Sequence, residues 1–208
     1  MEFLNNIINL FSEADSTLLL FINGMHTSIL DTIMWLASDK LTWIPFYLVL
    51  LYAISVRLKW KQRLLCFVCI AVIIALTDQT CASVIRPAME RLRPSNPDNP
   101  ISSMLHFVNN YRGGRYGFPS CHAANSMALA VFVILFFRKK TVSVIMISWA
   151  SLVCISRIYL GVHYPSDIIG GAIVGGTYAL IIHYIYSYIT AAMTKRKCIN
   201  KIKLCNNG

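Results

Sequence analysis

Residues 64–85 read LLCFVCIAVIIALTDQTCASVI, an apolar stretch of 22 residues with a single charged side chain, Asp78. A helix needs about 17–25 predominantly apolar residues to cross a lipid bilayer. Outward from this stretch, four more apolar runs can form helices, at about 41–55, 122–137, 142–160 and 167–190. The sequence therefore predicts an all-α fold, a polytopic bundle of transmembrane helices.

The overall composition also favours lipid as the solvent for most of the chain. Apolar residues make up 56% of the sequence and charged residues 13%, whereas soluble domains contain about 45–50% and about 25%. The net charge is +10, and basic residues cluster beside the apolar runs, at 57–63, 138–140 and 195–203. This pattern is typical of cytoplasmic loops under the positive-inside rule, and it disfavours binding to nucleic acid.

The basic clusters predict an orientation for the bundle. The loops 57–63 and 138–140 and a basic tail, 191–208, then lie in the cytoplasm. The segments 86–121 and 161–166 face the periplasm or the exterior. We expect a multi-pass protein of the inner (plasma) membrane.

The chain is expected to form one membrane-embedded domain, 1–208, with a catalytic bundle over 41–190. Before the bundle, residues 1–40 contain an amphipathic segment, 2–12, and an apolar but interrupted segment, 16–37. We expect two interfacial helices on the outer side, because no Lys or Arg precedes the last residue of this region. The alternative is a sixth span over 16–37, which would give six spans in place of five.

Three short polar clusters lie at the outer ends of the predicted helices. They are RPAMERLRP at 86–94, FPSCH at 118–122 and SRIYLGVHYPSD at 156–167. Arg86, Arg93 and Arg157 are permanent cations from separate segments, and a guanidinium group binds two phosphate oxygens at once. We therefore expect these three arginines to converge on a phosphate group.

Two histidines supply reactive nitrogen atoms at the same end of the bundle. His163 precedes Asp167 by four residues, so the carboxylate can hold one ring nitrogen and leave the other as a nucleophile. His122 begins a helix directly after Ser120, where free N–H groups and the helix dipole favour an anion. An anion cage with two histidines is what phosphoryl transfer requires when no metal or other cofactor takes part.

Together the three clusters resemble the signature of the type 2 phosphatidic acid phosphatase and vanadium haloperoxidase superfamily. That signature reads Lys-x6-Arg-Pro, then Pro-Ser-Gly-His, then Ser-Arg-x5-His-x3-Asp. The resemblance covers about residues 40–190 and implies a membrane-bound bacterial lipid phosphatase whose site lies at the outer membrane face. It implies catalysis without a metal or cofactor.

The resemblance also implies a role for each matching residue. His163 is expected to become a phosphohistidine, Asp167 to orient it, and His122 to act as general acid for the leaving alcohol. The phosphate is expected to be held by Arg86, Arg93, Ser120, Arg157 and the backbone N–H of Cys121.

Two positions depart from the signature, and one charged residue lies outside it. Arg86 stands where the family has Lys, and Cys121 stands where it has Gly. Asp78 precedes Arg86 by eight residues, about two helical turns, so we expect it to position Arg86 or a neighbouring helix.

The expected substrate is a phosphorylated lipid within the membrane. Undecaprenyl diphosphate and lipid A are favoured, and phosphatidic acid and phosphatidylglycerophosphate are the other candidates. A phosphotransferase on the same scaffold is the alternative function. The loop 95–117 is expected to set the substrate, and Arg91, Arg112 and Arg115 are interpreted as contacts to lipid headgroups.

Overall fold

The computed structural model of the protein describes the backbone of residues 2–206 and the side chains of residues 12–195. Within this part of the chain all regular structure is helical. The α-helices are α1 (Glu2–Gly24), α2 (Ser28–Ser38), α3 (Ile44–Ser55), α4 (Trp60–Gln79), α5 (Arg86–Met89), α6 (Cys121–Phe137), α7 (Lys140–Tyr159) and α8 (Pro165–Asn206). The all-α prediction is confirmed.

Shorter helical segments complete the architecture. A π-helix, Thr80–Ile85, joins α4 to α5, and 3₁₀-helices are formed by Leu41–Trp43, Pro100–Met104 and Val108–Asn110. The last two belong to the long loop between α5 and α6, which caps one end of the bundle.

All five predicted apolar runs form helices. Three segments in the described region are long and apolar enough to cross a membrane, namely Trp60–Met89, Lys140–Tyr159 and Pro165–Lys195. Leu41–Ser55 and Cys121–Phe137 are apolar but shorter. Three of the five predicted runs thus meet the length of a membrane crossing, and the count of five crossings stays a prediction.

Residues 16–37 do not form one straight crossing. The chain turns by 117° between Ser12–Gly24 and Ser28–Ser38. Thr27 starts the second helix, because its hydroxyl accepts a hydrogen bond from the backbone N–H of Leu30 (3.2 Å). The side chains of residues 2–11, which carry most of the predicted amphipathic face of 2–12, and those of 196–208 in the predicted basic tail lie outside the described residues.

Helices α6 and α8 pack with their backbones in contact. A β-carbon on Gly171 would lie 2.4 Å from the carbonyl oxygen of Ser120, and one on Gly175 would lie 2.0 Å from that of Ala124. Glycines spaced by four residues allow this approach between membrane helices. The start of α6 therefore lies beside the start of α8, where the second and third polar clusters are located.

Replacing Gly175 with Ala is expected to destabilise the folded bundle. Over-packing usually costs about 1–3 kcal/mol, and here the obstacle is a backbone carbonyl that cannot rotate away. The midpoint of thermal unfolding in detergent should fall clearly below that of the wild-type protein. Gly176→Ala is the matched control, since nothing lies within 4 Å of its β-carbon; equal midpoints for the two variants would contradict this description of the packing.

Candidate active site

His163 lies in the short connection between α7 and α8 and is 1% exposed. Its Nδ1 is 3.2 Å from Oδ2 of Asp167, which stands in the first turn of α8. The backbone N–H of Tyr164 donates to the same oxygen (3.0 Å). With a proton on Nδ1 donated to the carboxylate, Nε2 carries the free lone pair of a nucleophile.

Arg93 covers that free nitrogen. Its Nη1 is 3.1 Å from Nε2 of His163, and its Nε donates to the carbonyl oxygen of Tyr116 (3.0 Å). Nη1 also donates to the carbonyl oxygen of Val162 (3.3 Å). A phosphorus atom that bonds to Nε2 must displace this N–H from the lone pair, and its oxygen atoms would then lie beside the guanidinium group.

Arg86 contacts the loop that leads into α6. Its Nη2 donates to the carbonyl oxygen of Pro119 (3.1 Å) and to Sγ of Cys121 (3.0 Å). Ser120 is fully buried, and its hydroxyl accepts from the N–H of Ala123 (3.4 Å), so it caps α6. The N–H groups of Cys121 and its neighbour in the first turn have no partner within the helix.

Arg157 and His122 line a cavity of about 410 Å³. Arg157 is 3% exposed and donates to the hydroxyls of Ser38 and Tyr111. A second cavity, of about 330 Å³, shares Ser38, Lys40 and His122 with the first and runs between α3, α4, α6 and α7. Its wall is largely apolar, with residues such as Trp43, Leu50, Ile70, Ile74 and Val153. His122 therefore stands where a polar cavity meets an apolar one.

The three arginines act on each other and on His163. Burial, followed by the charges of Arg93, Arg157 and Arg86, holds the pKa of His163 well below its ordinary value. Burial and the charges of Arg86 and Arg157 lower the pKa of Arg93 to about 10. His163 is thus neutral at neutral pH, and the free energy of the clustered cations falls when an anion binds between them.

Buried donors without partners belong to the same cluster. In the described region, four buried side-chain nitrogens lack a hydrogen-bond partner, and two of them are Nε of Arg86 and Nε of Arg157. Such groups cost free energy unless they are paired. Oxygen atoms of a bound phosphate would pair both donors.

Asp78 does not contact Arg86. Its carboxylate accepts from Nδ2 of Asn125 on α6 (3.3 Å). The sequence prediction assumed a continuous α-helix, but the π-helix Thr80–Ile85 intervenes and its wider turns change which residues share a face. The prediction offered two partners for Asp78, Arg86 or a neighbouring helix, and the structure shows a contact with the neighbouring helix α6.

The interpretation of Arg91 as a lipid contact is wrong. Its two terminal nitrogens bridge Asp167 (2.8 Å) and Asp15 (2.5 Å). No local signal in the sequence indicated this pairing, because Asp15 lies in a polar stretch, SEADST at 12–17. Arg112 donates to the carbonyl oxygen of Ser95 and the hydroxyl of Ser102 but is exposed, so its interpretation as a headgroup contact stays a prediction.

His106, in the long loop, also has a structural partner. Its Nε2 is 2.9 Å from Oδ2 of Asp31, and its ring stacks on that of His26. Among the described residues, no group of three or more His, Cys, Asp or Glu side chains is arranged to hold a metal ion. The described site is built from arginine, histidine and helix N-termini.

A buried, neutral histidine held by a carboxylate lies with a cluster of arginines at one end of an apolar helical bundle. This arrangement is typical of a membrane-bound phosphatase that hydrolyses phosphoric esters. The chain matches the PAP2 superfamily over residues 64–191, and it belongs to the bacterial lipid phosphatases of that superfamily.

Curated relatives and a solved structure agree with this assignment. The chain is 44% identical over 187 residues to a lipid A 4'-phosphatase of Bacteroides thetaiotaomicron, covering 90% of this chain and 83% of that one. It is 32% identical over 186 residues to a lipid A 4'-phosphatase of Porphyromonas gingivalis, covering 89% and 78%. The crystal structure of a transmembrane PAP2-type phosphatidylglycerolphosphate phosphatase from Bacillus subtilis superposes with a TM-score of 0.65 at 22% identity, covering 87% and 88%. This last likeness concerns the fold.

Replacing Gly117 with Ala is expected to slow the enzyme. A β-carbon there would lie 2.9 Å from Oδ2 of Asp167 and 3.2 Å from Cγ of Arg93, so both side chains must shift. A misplacement of 1 Å can cost about 100-fold in rate, and we expect a loss of about tenfold in kcat. Gly114→Ala is the control, since nothing lies within 4 Å of its β-carbon; equal phosphatase rates for the two variants would show that Gly117 does not set the geometry.

Proposed function

We propose that the protein hydrolyses the 4'-phosphate ester of lipid A at the outer face of the inner membrane. The observation that carries the chemistry is the contact of His163 with Asp167 on one ring nitrogen and with Arg93 on the other. The substrate is inferred from the 44% identity to a lipid A 4'-phosphatase over 90% of the chain.

In the first step, Nε2 of neutral His163 attacks phosphorus and the bond between phosphorus and the 4'-oxygen breaks. The bound phosphate offsets the charges of the arginines and allows His122 to carry a proton. His122 gives this proton to the 4'-oxygen, so a hydroxyl leaves in place of an alkoxide. The products are a phosphohistidine and the dephosphorylated lipid. Arg86, Arg93 and Arg157 offset the negative charge on the phosphoryl oxygens during transfer.

In the second step, water attacks the phosphohistidine. His122, now neutral, takes a proton from the water as the new bond to phosphorus forms. The bond between Nε2 and phosphorus breaks, and inorganic phosphate leaves. Both histidines return to their starting protonation states, so no metal or other cofactor is needed in this sequence.

The two cavities support a lipid with a charged sugar headgroup. The polar cavity is lined by Arg157, Lys40 and Tyr111, which suit an anionic and hydroxylated group, and also by Asp39, Trp35 and Leu41. The apolar cavity that meets it at His122 extends between the membrane helices and suits an acyl chain. The placement at the outer face rests on the basic loops 57–63 and 138–140, which mark the opposite end as cytoplasmic.

The substrate assignment predicts a specific order of activities. Purified protein in detergent and excess EDTA should release phosphate from lipid A faster than from undecaprenyl diphosphate or phosphatidylglycerophosphate. Mass spectrometry should show loss of the 4'-phosphate. A faster reaction with another of these lipids would reassign the substrate, and transfer to an added lipid hydroxyl without phosphate release would identify a phosphotransferase. Loss of activity in EDTA that Mg²⁺ restores would reject the metal-free mechanism.

The roles of the two histidines predict different responses to the leaving group. His122→Ala should lose about 10²–10⁴-fold on the lipid, because the alkoxide must leave unprotonated. It should recover part of that loss on p-nitrophenyl phosphate, whose leaving group needs little protonation. His163→Ala should be inactive on both substrates. Rescue of His163→Ala by the good leaving group would exchange the two roles.

A further inference from the structure

The carboxylate of Asp167 makes contacts through both of its oxygens. Oδ2 receives Nδ1 of His163 and the N–H of Tyr164. Oδ1 receives Nη1 of Arg91 at 2.8 Å. The terminal torsion of an aspartate is broad and roughly two-fold, so contacts on one oxygen alone leave the carboxylate free to turn. Arg91 supplies the contact that fixes its plane, and that plane sets the orientation of the histidine ring.

Arg91 is itself held from the far side by Asp15 on α1. Nη2 of Arg91 lies 2.5 Å from Oδ2 of Asp15, and the Asp15 side chain is only 8% exposed. The guanidinium also lies over the ring of Tyr164, 4.1 Å from its centroid. The arginine is thus fixed by a carboxylate on each side and an aromatic ring on its face.

Asp15 makes a second set of contacts with the start of α8. Its Oδ1 accepts from the backbone N–H of Ser166 (2.8 Å), and its Oδ2 accepts from the hydroxyl of Ser166 (2.5 Å). A carboxylate at a helix N-terminus is stabilised by the free N–H groups and the dipole. Asp15 therefore caps, from another helix, the same turn that carries Asp167.

We propose that Arg91 and Asp15 are positioning residues for His163, and that α1 thereby forms a working part of the catalytic site. The chain of contacts runs from Asp15 through Arg91 to Asp167 and then to His163. Arg91 stands at one of the unspecified positions of the first motif, and Asp15 lies outside all three motifs. The proposal rests on the proposed function, in which His163 is the nucleophile.

The test compares full-length variants in detergent with p-nitrophenyl phosphate as substrate and inorganic phosphate as competitive inhibitor. Arg91→Gln is expected to lower kcat by about 10- to 100-fold. Its KM and its inhibition constant for phosphate should stay within about threefold of wild type, because the phosphate cage is intact. Arg91→Lys keeps the charge but loses the planar fork, so it should fall between wild type and Arg91→Gln.

Asp15→Asn should lower kcat by about tenfold in the same way. Glu13→Gln is the matched control, because Glu13 lies two residues away on α1 with an exposed side chain and should keep wild-type kcat. If Asp15 acts through Arg91, adding Asp15→Asn to Arg91→Gln should lower kcat by no more than about threefold further. The thermal midpoint of each variant is recorded alongside, and Asp15→Asn and Arg91→Lys carry the comparison if Arg91→Gln does not fold.

Several results would overturn the proposal. If Arg91→Gln keeps a kcat within about threefold of wild type, Arg91 does not position His163. If Arg91→Gln does not fold, the same result for Arg91→Lys leads to the same conclusion. If inhibition by phosphate weakens by the same factor as kcat falls, Arg91 either belongs to the phosphate cage or contributes only to the stability of the fold. If the two substitutions lower kcat multiplicatively in the double variant, Asp15 does not act through Arg91. Failure of the proposed function looks different: there the wild type releases no phosphate, or His163→Ala stays active.

Discussion

The close approach of α8 to α6 is the constraint on which the rest of the site depends. The carbonyl oxygens of Ser120 and Ala124 occupy the space that a side chain on Gly171 or Gly175 would need. At this separation the N–H of Ser120 also donates to the carbonyl oxygen of Asp167 (3.0 Å). The two helix starts are therefore joined directly, which brings the segment that carries His163 next to the first turn of α6, where His122 stands.

Charged side chains are concentrated at this one end of the bundle, and negative and positive groups alternate there. Asp15, Arg91, Asp167 and Arg93 follow one another around His163 with signs that alternate. Alternation offsets part of the cost of burying charged groups in a membrane protein. The arginines beyond this row, Arg86 and Arg157, are instead unbalanced. Burial, followed by repulsion from these two arginines, lowers the pKa of Arg93 to about 10, and an anion between the three groups would offset that repulsion.

The sequence predicted those features that depend on local spacing. Apolar runs predicted the helices, and the four-residue interval between His163 and Asp167 predicted their contact, because Pro165 opens a helix between them. Contacts between distant segments could not be derived in this way. Asp15 and Ser166 are 151 residues apart, and no local pattern selects that pair among the carboxylates and hydroxyls available. The π-helix before α5 was not predicted for another reason: nothing in its composition distinguishes it from the α-helix that precedes it, yet it replaces regular α-helical spacing between Asp78 and Arg86.

The two departures from the family signature lie in contact with each other. A lysine at position 86 would present a point charge on a flexible stem, whereas the guanidinium of Arg86 is a planar fork. In the structure Nη2 of Arg86 is occupied by the carbonyl oxygen of Pro119 and by Sγ of Cys121, an atom that glycine at position 121 would not provide. The thiol of Cys121 therefore fixes Nη2 of Arg86, while Nε on the same edge of the guanidinium stays buried and without a partner.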